Sequence, residues 1–490
     1  MKKFLILFLL LMSPNAFGAT WYTSTDGSAA CGTGCLTGAP CSLTTMLTCT
    51  VNPGDTVILK NGTYTGSGLI PTRSGSAGNY ITIQAETEGL VIIDGQGVRE
   101  PLRLTTITYN IIEGIIFKNA VYDVGKIHSS SQYNIVRRCG FVNSGAGNYH
   151  LMLLTGSSTA YNLVEDCYAT QGQGASKNGR YGFITFSGAH HNTMRRNYVK
   201  YYAHTSATGG PCAPFSAYNS SNNLFENCIA DVTNATGECG GGYGERYFVN
   251  IPATTTATND TFKGCVGVAN NSYSISYFGP VGGTSSDITF IDNVWYNFAS
   301  GILHQNSPGA TYTNNTIYGN AGRGYYIYDA SGSVTLKNSS FLGTQDPALR
   351  VYLATMTHTY NNIYNATNCY TGTTQGEGEN CNTLNPSYDT TTYGKGAYLI
   401  VPTALQGQGE SGSDIGAKVL YRYVDGSLTS DPLWPWPMED RIYNEIGISV
   451  TYELNGGIWK TLSGIYDSPP ATSHGKISGG AKLSGGAKLQ

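Results

Sequence analysis

Charge is scarce in this chain. Only 12% of its 490 residues are Asp, Glu, Lys or Arg, and 28 basic against 31 acidic residues leave a net charge of −3. No run or stripe of Lys and Arg occurs, which excludes the electrostatic footprint of a nucleic-acid binder. No stretch approaches the roughly 18 to 20 consecutive apolar residues of a membrane-spanning helix. No Cys-x-x-Cys-His is present, so covalent haem is excluded. The first four cysteines also lack the Cys-x-x-Cys pairing of a zinc site. Long helical patterns are missing, and so is the Leu spacing of a leucine-rich horseshoe.

What the chain has instead is a repeat. The segments Asn134–Cys139, Asn162–Cys167, Asn192–Asn197 and Asn223–Cys228 each run Asn, an apolar residue two places on, then Cys or Asn three places later. Extended both ways, the last position is filled by Ile115, Cys139, Cys167, Asn197, Cys228, Cys265, Asn293, Asn315, Ser339 and Asn362. The gaps between them run from 22 to 37 residues. Upstream of each sits an apolar or aromatic residue, from Ile112 through Val136, Phe225 and Phe290 to Tyr360. A period of this size marks a stacked repeat fold. Short alternating runs separated by Gly, Asn, Ser and Thr read as strands, and a coil of 22 residues has no room for a helix as well. The expectation is an all-β chain: a right-handed parallel β-helix, a solenoid with an N-terminal cap and a small C-terminal cap or module. Inward Cys packs as a small hydrophobe. A column of Asn lets each side-chain amide satisfy its neighbour.

Met1–Gly18 reads as a secretory signal: Lys2 and Lys3, an apolar run from Phe4 to Met12, and small residues at Ala16 and Gly18. A secreted protein or one at the cell surface is expected, with no transmembrane segment. An oxidising compartment permits disulfides. Cys31, Cys35, Cys41 and Cys49, with Cys369 and Cys381, read as staples, whereas Cys139, Cys167, Cys228 and Cys265 read as free buried thiols. Cys212 and Cys239 flank a long insertion and could pair across it. Residues 19–400 are assigned to the solenoid, 401–466 to the C-terminal cap or docking module, and 467–490, with Ser-Gly-Gly-Ala-Lys-Leu twice, to a low-complexity tail. Trp434 and Trp436 in the module either stack on a sugar or fill a core.

One stretch carries a more specific likeness. Gly54-Asp-Thr-Val, Gly62-Thr-Tyr, Ile81-Thr-Ile-Gln-Ala and Ile93-Asp-Gly follow one another in order. This order resembles the opening coils of secreted β-helix proteins of the pectate lyase-like superfamily, and within it the chondroitinase B and alginate lyase group. The resemblance covers about residues 50 to 365. It implies an extracellular polysaccharide as partner and β-elimination as the reaction. The Glu-Ile-Ile-x-x-Lys-Ser string of that group is absent, as are the Asn-Thr-Asp and Asp-Asp strings of pectin hydrolases, so no catalytic residue carries over.

Candidate chemistry therefore comes from the long coils between Cys139 and Cys265, whose extra residues must leave the solenoid as loops, where function is usually placed. Arg195, Arg196, Lys200 and His204 lie together in sequence, as do Glu238, Glu245 and Arg246. A lyase needs a base and a group that neutralises the substrate carboxylate. Lys200 or Arg246 is the candidate base, His204 or Tyr247 the candidate proton donor, and Glu238 and Glu245 candidate ligands of a cation such as Ca²⁺. His190-His191 alternates faces on a strand and is a poor metal pair. A non-catalytic surface or matrix protein that binds glycan or self-assembles is the competing function.

Overall fold

A computed structural model describes residues 18–32, 35–145, 149–171, 181–201, 213–233, 247–250, 256–269, 274–278, 284–298, 300–305, 308–319, 324–328, 333–343, 348–352, 355–366, 369–372, 381–382 and 384–455. Residues 1–17, Cys212, Cys239 and residues 456–490 lie outside the described residues. Three sheets wind round one axis. Sheet I has thirteen strands, from Thr20–Thr23 to Thr355–Thr359, and sheet II thirteen, from Gly62–Tyr64 to Cys381–Asn382. Sheet III has eleven, from Leu102–Thr105 to Tyr370–Gly372. Within all three every pairing is parallel, each strand lying on its counterpart one coil away. This is the parallel β-helix the repeat predicts.

The turn from sheet I to sheet II explains the repeat. It is two residues long. The first has positive φ: Arg138 (54°), Asp166 (50°), Asn227 (48°), Gly264 (60°) and Asn338 (51°) are examples. The second points inward. There Cys139, Cys167, Cys228 and Cys265 are free and buried, and Asn197, Asn293 and Asn315 are 0% exposed. Asn293 Oδ1 accepts from the Cys265 amide at 2.8 Å, and its Nδ2 donates to the Phe262 carbonyl at 3.0 Å and to Asn315 Oδ1 at 3.1 Å. The thiols take the same place more weakly, the Cys139 amide meeting Cys167 Sγ at 3.4 Å. Asn293→Ala should therefore cost about 2 kcal/mol by stranding a buried amide and carbonyl. Asn293→Cys should cost less in the same urea unfolding series, because four coils already carry Cys there.

The last register differs from the sequence reading by one residue. The Ser339 amide donates to Asn361 Oδ1, and Leu336 pairs with His358. Asn361, not Asn362, is the inward residue, and Tyr360 (φ 55°) is the turn residue rather than the core one. Two adjacent Asn residues made the spacing ambiguous. A second amide column runs at the first Asn of each segment: the amide of Asn110 donates to Asn134 Oδ1, and the chain of such bonds continues through Asn162, Asn192 and Asn223 to Asp260.

Inside, sheet I contributes a stack of rings. Phe225 and Phe262 lie 4.5 Å apart, Phe262 and Phe290 4.9 Å, and Phe290 and Tyr312 5.4 Å. At the N-terminal end the helix Leu43–Met46 buries Leu43 and Met46, with Cys31–Cys49 and Cys35–Cys41 as disulfides. Cys369 is also disulfide-bonded. Beyond residue 384 the chain folds back along the flank of the solenoid. Val419, Leu433, Trp434, Trp436 and Ile442 pack with Tyr168, Tyr198, Ile229 and Val266, on the outer face of sheet II. Trp434 and Trp436 are 1% and 2% exposed and fill the interior of this layer, out of reach of a sugar.

Candidate functional site on the outer face of sheet III

The sequence-chosen residues do not form one described group. Lys200 lies on Tyr198–Tyr201 of sheet II, with Nζ 2.6 Å from Asp231 Oδ2 and a side chain 1% exposed. Arg195 lies on sheet I, where its Nε donates to Glu226 at 2.9 Å. Arg196 pairs with Asp166 and Glu165. The pairing is complete enough to make both guanidinium groups part of the scaffold. His204, Glu238, Glu245 and Arg246 lie outside the described residues, and so does the side chain of Tyr247.

Sheet III presents a different cluster. Leu102–Thr105, Gly125–His128 and His150–Thr155 are consecutive strands in register, so Arg103 lies beside Lys126, and Thr105, His128 and Thr155 form a row. Just ahead of the second strand stands Asp123, whose side chain is 4% exposed. Its Oδ1 accepts from the backbone N–H of His150 at 3.0 Å and from His150 Nδ1 at 2.7 Å. Lys126 Nζ lies 3.3 Å from the other oxygen and 3.9 Å from Glu100, which also holds Arg103 at 3.3 Å. Burial alone would raise the Asp123 carboxyl. The hydrogen bond and charge of His150, with the Lys126 ammonium, outweigh it and hold the group below the ordinary carboxylate range. Asp123 is thus an anion at neutral pH, and it fixes the His150 tautomer with the proton on Nδ1. Nε2, the other ring nitrogen, has no protein partner among the described residues. Tyr181, the register partner of His150, stacks on the imidazole with ring centres 5.6 Å apart and planes inclined by 16°.

The face changes character along the axis. Leu153, Ile184 and Tyr181 form a buried apolar cluster, and the half-buried rings of Phe186 and Tyr218, 5.0 Å apart, edge it. Nearer the polar end, burial and then the Lys126 and Arg103 cations hold His128 below the usual histidine value, so it is neutral at pH 7. An oriented imidazole, two cations and aromatic rings on one rigid sheet can accept a proton, neutralise a carboxylate and stack on a pyranose ring. His150 carried no local signal in the sequence. Its partner is 27 residues away and meets it only because one coil separates them.

A calcium site does not emerge from these residues. Asp123 and Glu100 are committed to His150, Lys126 and Arg103. Among the described residues the one close trio of metal-ligand type is Cys35, Cys41 and Cys49, whose sulfurs are spent in disulfides.

Three parallel sheets with an inward Cys and Asn column define the class, a right-handed parallel β-helix. The family model of Chondroitinase B matches residues 43–269, and that of the right-handed beta helix region matches residues 268–385. The chain is a right-handed parallel β-helix protein whose N-terminal half is similar to Chondroitinase B. Among solved structures it is similar to a PL6 family polysaccharide lyase from Pseudopedobacter saltans, with 14% identity, 71% of this chain and 86% of that chain covered, and a TM-score of 0.42. It is also similar to a mannuronic acid specific family 6 lyase from human gut microbiota (16% identity, 68% and 74% covered, TM-score 0.40). A third is a GH136 lacto-N-biosidase from Eubacterium ramulus (12% identity, 75% and 68% covered, TM-score 0.35). No curated protein sequence matches the chain.

Proposed function

We propose that this is a secreted protein acting on an extracellular polysaccharide, and that it cleaves a uronate-containing chain by β-elimination on the outer face of sheet III. The observation that carries the reading is the Asp123–His150 pair, whose Asp123 also holds the Lys126 ammonium, with Arg103 the register neighbour of Lys126. The Chondroitinase B match over residues 43–269 supports it. In this reading His150 Nε2 takes the proton from the carbon beside the uronate carboxylate. Lys126 and Arg103 lie across the charge that develops on that carboxylate. The carbon–oxygen bond to the next sugar breaks, a carbon–carbon double bond forms, and the imidazolium returns its proton to the departing oxygen. Asp123 stabilises the imidazolium and keeps the ring oriented.

Lys200, His204, Glu245 and Arg246 are the competing base-and-donor set, and Ca²⁺ the competing neutraliser. An ammonium 2.6 Å from a buried carboxylate is a poor proton acceptor, which ranks His150 ahead of Lys200. The test is the ultraviolet absorbance of unsaturated product from alginate, pectate and glycosaminoglycans, with and without Ca²⁺. We expect product from at least one uronate polymer and a loss of about a hundredfold in rate for His150→Ala, with the fold retained by circular dichroism. Absence of product from every polymer overturns the reading in favour of a non-catalytic glycan-binding protein. Full activity in His150→Ala moves the chemistry to the Lys200 set.

A further inference from the structure

In coil after coil the turn from sheet III into sheet I ends on a residue of positive φ just before the sheet I strand. In four coils that residue is Asn222, Asn259, Asp287 or Gly309, the types that accept left-handed backbone most readily,. In the four before them it is Tyr109 (φ 56°), Tyr133 (55°), Tyr161 (57°) and His191 (53°). A bulky side chain there is costlier than Asn, so the fold alone does not call for rings. The rings nevertheless line up. Tyr109 and Tyr133 stack at 5.0 Å with planes 6° apart, Tyr133 and Tyr161 at 5.1 Å and 5°, and His191 continues the row 5.1 Å beyond Tyr161. Tyr161 is 44% exposed. Among the described residues the hydroxyls of Tyr109, Tyr133 and Tyr161 have no hydrogen-bond partner.

Beside the row lies a hollow of about 300 Å³ lined by His128, Ser129, Thr155, Gly156 and Ser157, among others. The whole strip is uncharged. Segments 104–110, 128–134, 155–162 and 186–192 contain no Asp, Glu, Lys or Arg. Phenol edges, serine hydroxyls and an imidazole without formal charge are the chemistry that meets the hydroxyl and C–H faces of a sugar. The strand-to-strand spacing of roughly 4.8 Å is close to the length of one pyranose unit in an extended chain.

We propose that this strip is a second carbohydrate-binding surface, adjoining the His150 face at His128 and Thr155, which holds an extended polysaccharide along the solenoid axis through uncharged contacts, about one sugar per coil. The hydroxyls of Tyr133 and Tyr161 are its central contact groups. The proposal does not depend on catalysis at His150.

The test is electrophoresis of the full chain through native gels containing glucomannan, xylan, hydroxyethyl cellulose or alginate, at low and high salt. The variant is the double substitution Tyr133→Asn/Tyr161→Asn, which places at these turns the residue that later coils carry there. Expected are retardation of the wild type in at least one gel, equally at high salt, and an apparent affinity at least about fivefold weaker in the variant, with circular dichroism unchanged. Should the Asn variant fail to fold, Tyr133→Phe/Tyr161→Phe keeps the stack and removes only the hydroxyls, and the same weakening is expected. No retardation in any gel, retardation abolished by salt, or full retardation of whichever folded variant is used each overturns the proposal.

Discussion

Glu226→Ala is expected to destabilise the protein by about 3 to 5 kcal/mol, read as a fall in the urea midpoint. Glu226 is 0% exposed. Its carboxylate accepts from Arg195 Nε at 2.9 Å and from the backbone N–H of Gly426, at the tip of the C-terminal hairpin. Burial works against the Arg195 charge, and Glu226, Asp425 and Glu165 together more than restore it. Removing Glu226 takes from Arg195 its one fully buried partner and leaves a backbone donor without its acceptor at once. Asp425 contacts the same Arg195 but is 71% exposed. An exposed partner is worth at most about 1 kcal/mol, so Asp425→Ala should shift the midpoint little. The contrast tests burial itself, since both carboxylates touch one cation. Because Tyr423 also bonds Asp292, and Lys263 the Gly426 carbonyl, the hairpin has further anchors. Limited proteolysis of Glu226→Ala should therefore cut the segment 421–432 faster than wild type while leaving the coils intact.

The fold was legible because a solenoid writes its period into the chain. Each two-residue turn needs a residue that tolerates positive φ and then a small or amide side chain facing in, so the same letters recur at Cys139, Cys167, Asn197 and Cys228. Periodicity fails where the letters double. Asn361 and Asn362 satisfy the pattern equally, and only the bond from Ser339 decides between them. The course of the C-terminal segment was illegible for another reason. Its apolar residues announce burial but not against what, and the outer face of sheet II that receives them, Tyr168, Tyr198 and Ile229, reads in sequence like any alternating strand. The site was illegible for a third. Proximity in sequence suggested Arg195, Arg196 and Lys200 as a group, but a β-helix sends residues five apart to different sheets and brings residues one coil apart together. Asp123 and His150 meet by that rule. So do Lys200 and Asp231, whose pairing turns a candidate base into a buried ion pair.

Asp260→Asn is expected to flatten the pH dependence of stability and to leave the variant more stable than wild type at pH 8. Asp260 ends the amide column. Its Oδ1 accepts from the Asn223 backbone at 2.8 Å and from Asn223 Nδ2 at 3.0 Å, while Oδ2 is buried without a partner. Full burial pushes the carboxyl up from 3.8 to about 8, against the lowering effect of the two Asn223 bonds. Below pH 4 folded and unfolded chains both hold the proton, and the group contributes no slope. Between pH 4 and 8 the unfolded chain releases it and the folded chain retains it, so stability falls by about 1.4 kcal/mol per pH unit, roughly 5 kcal/mol in all. Asp292, raised by burial to about 6 against the lowering effect of the Tyr423 bond, adds a slope of the same sign that stops earlier. Subtracting the variant's profile from the wild-type profile isolates Asp260. The amide should fit, because each Asn of the column donates to the carbonyl three residues before the Asn one coil back: Asn134 to Ile107, Asn192 to Thr159 and Asn223 to Ala189. The Ser220 carbonyl occupies that place for residue 260. Urea midpoints of the two proteins, measured from pH 4 to pH 9, decide the matter. Parallel curves would mean that Asp260 ionises in the folded state as readily as in the unfolded one, and that the column ends in an anion that the surrounding dipoles sustain.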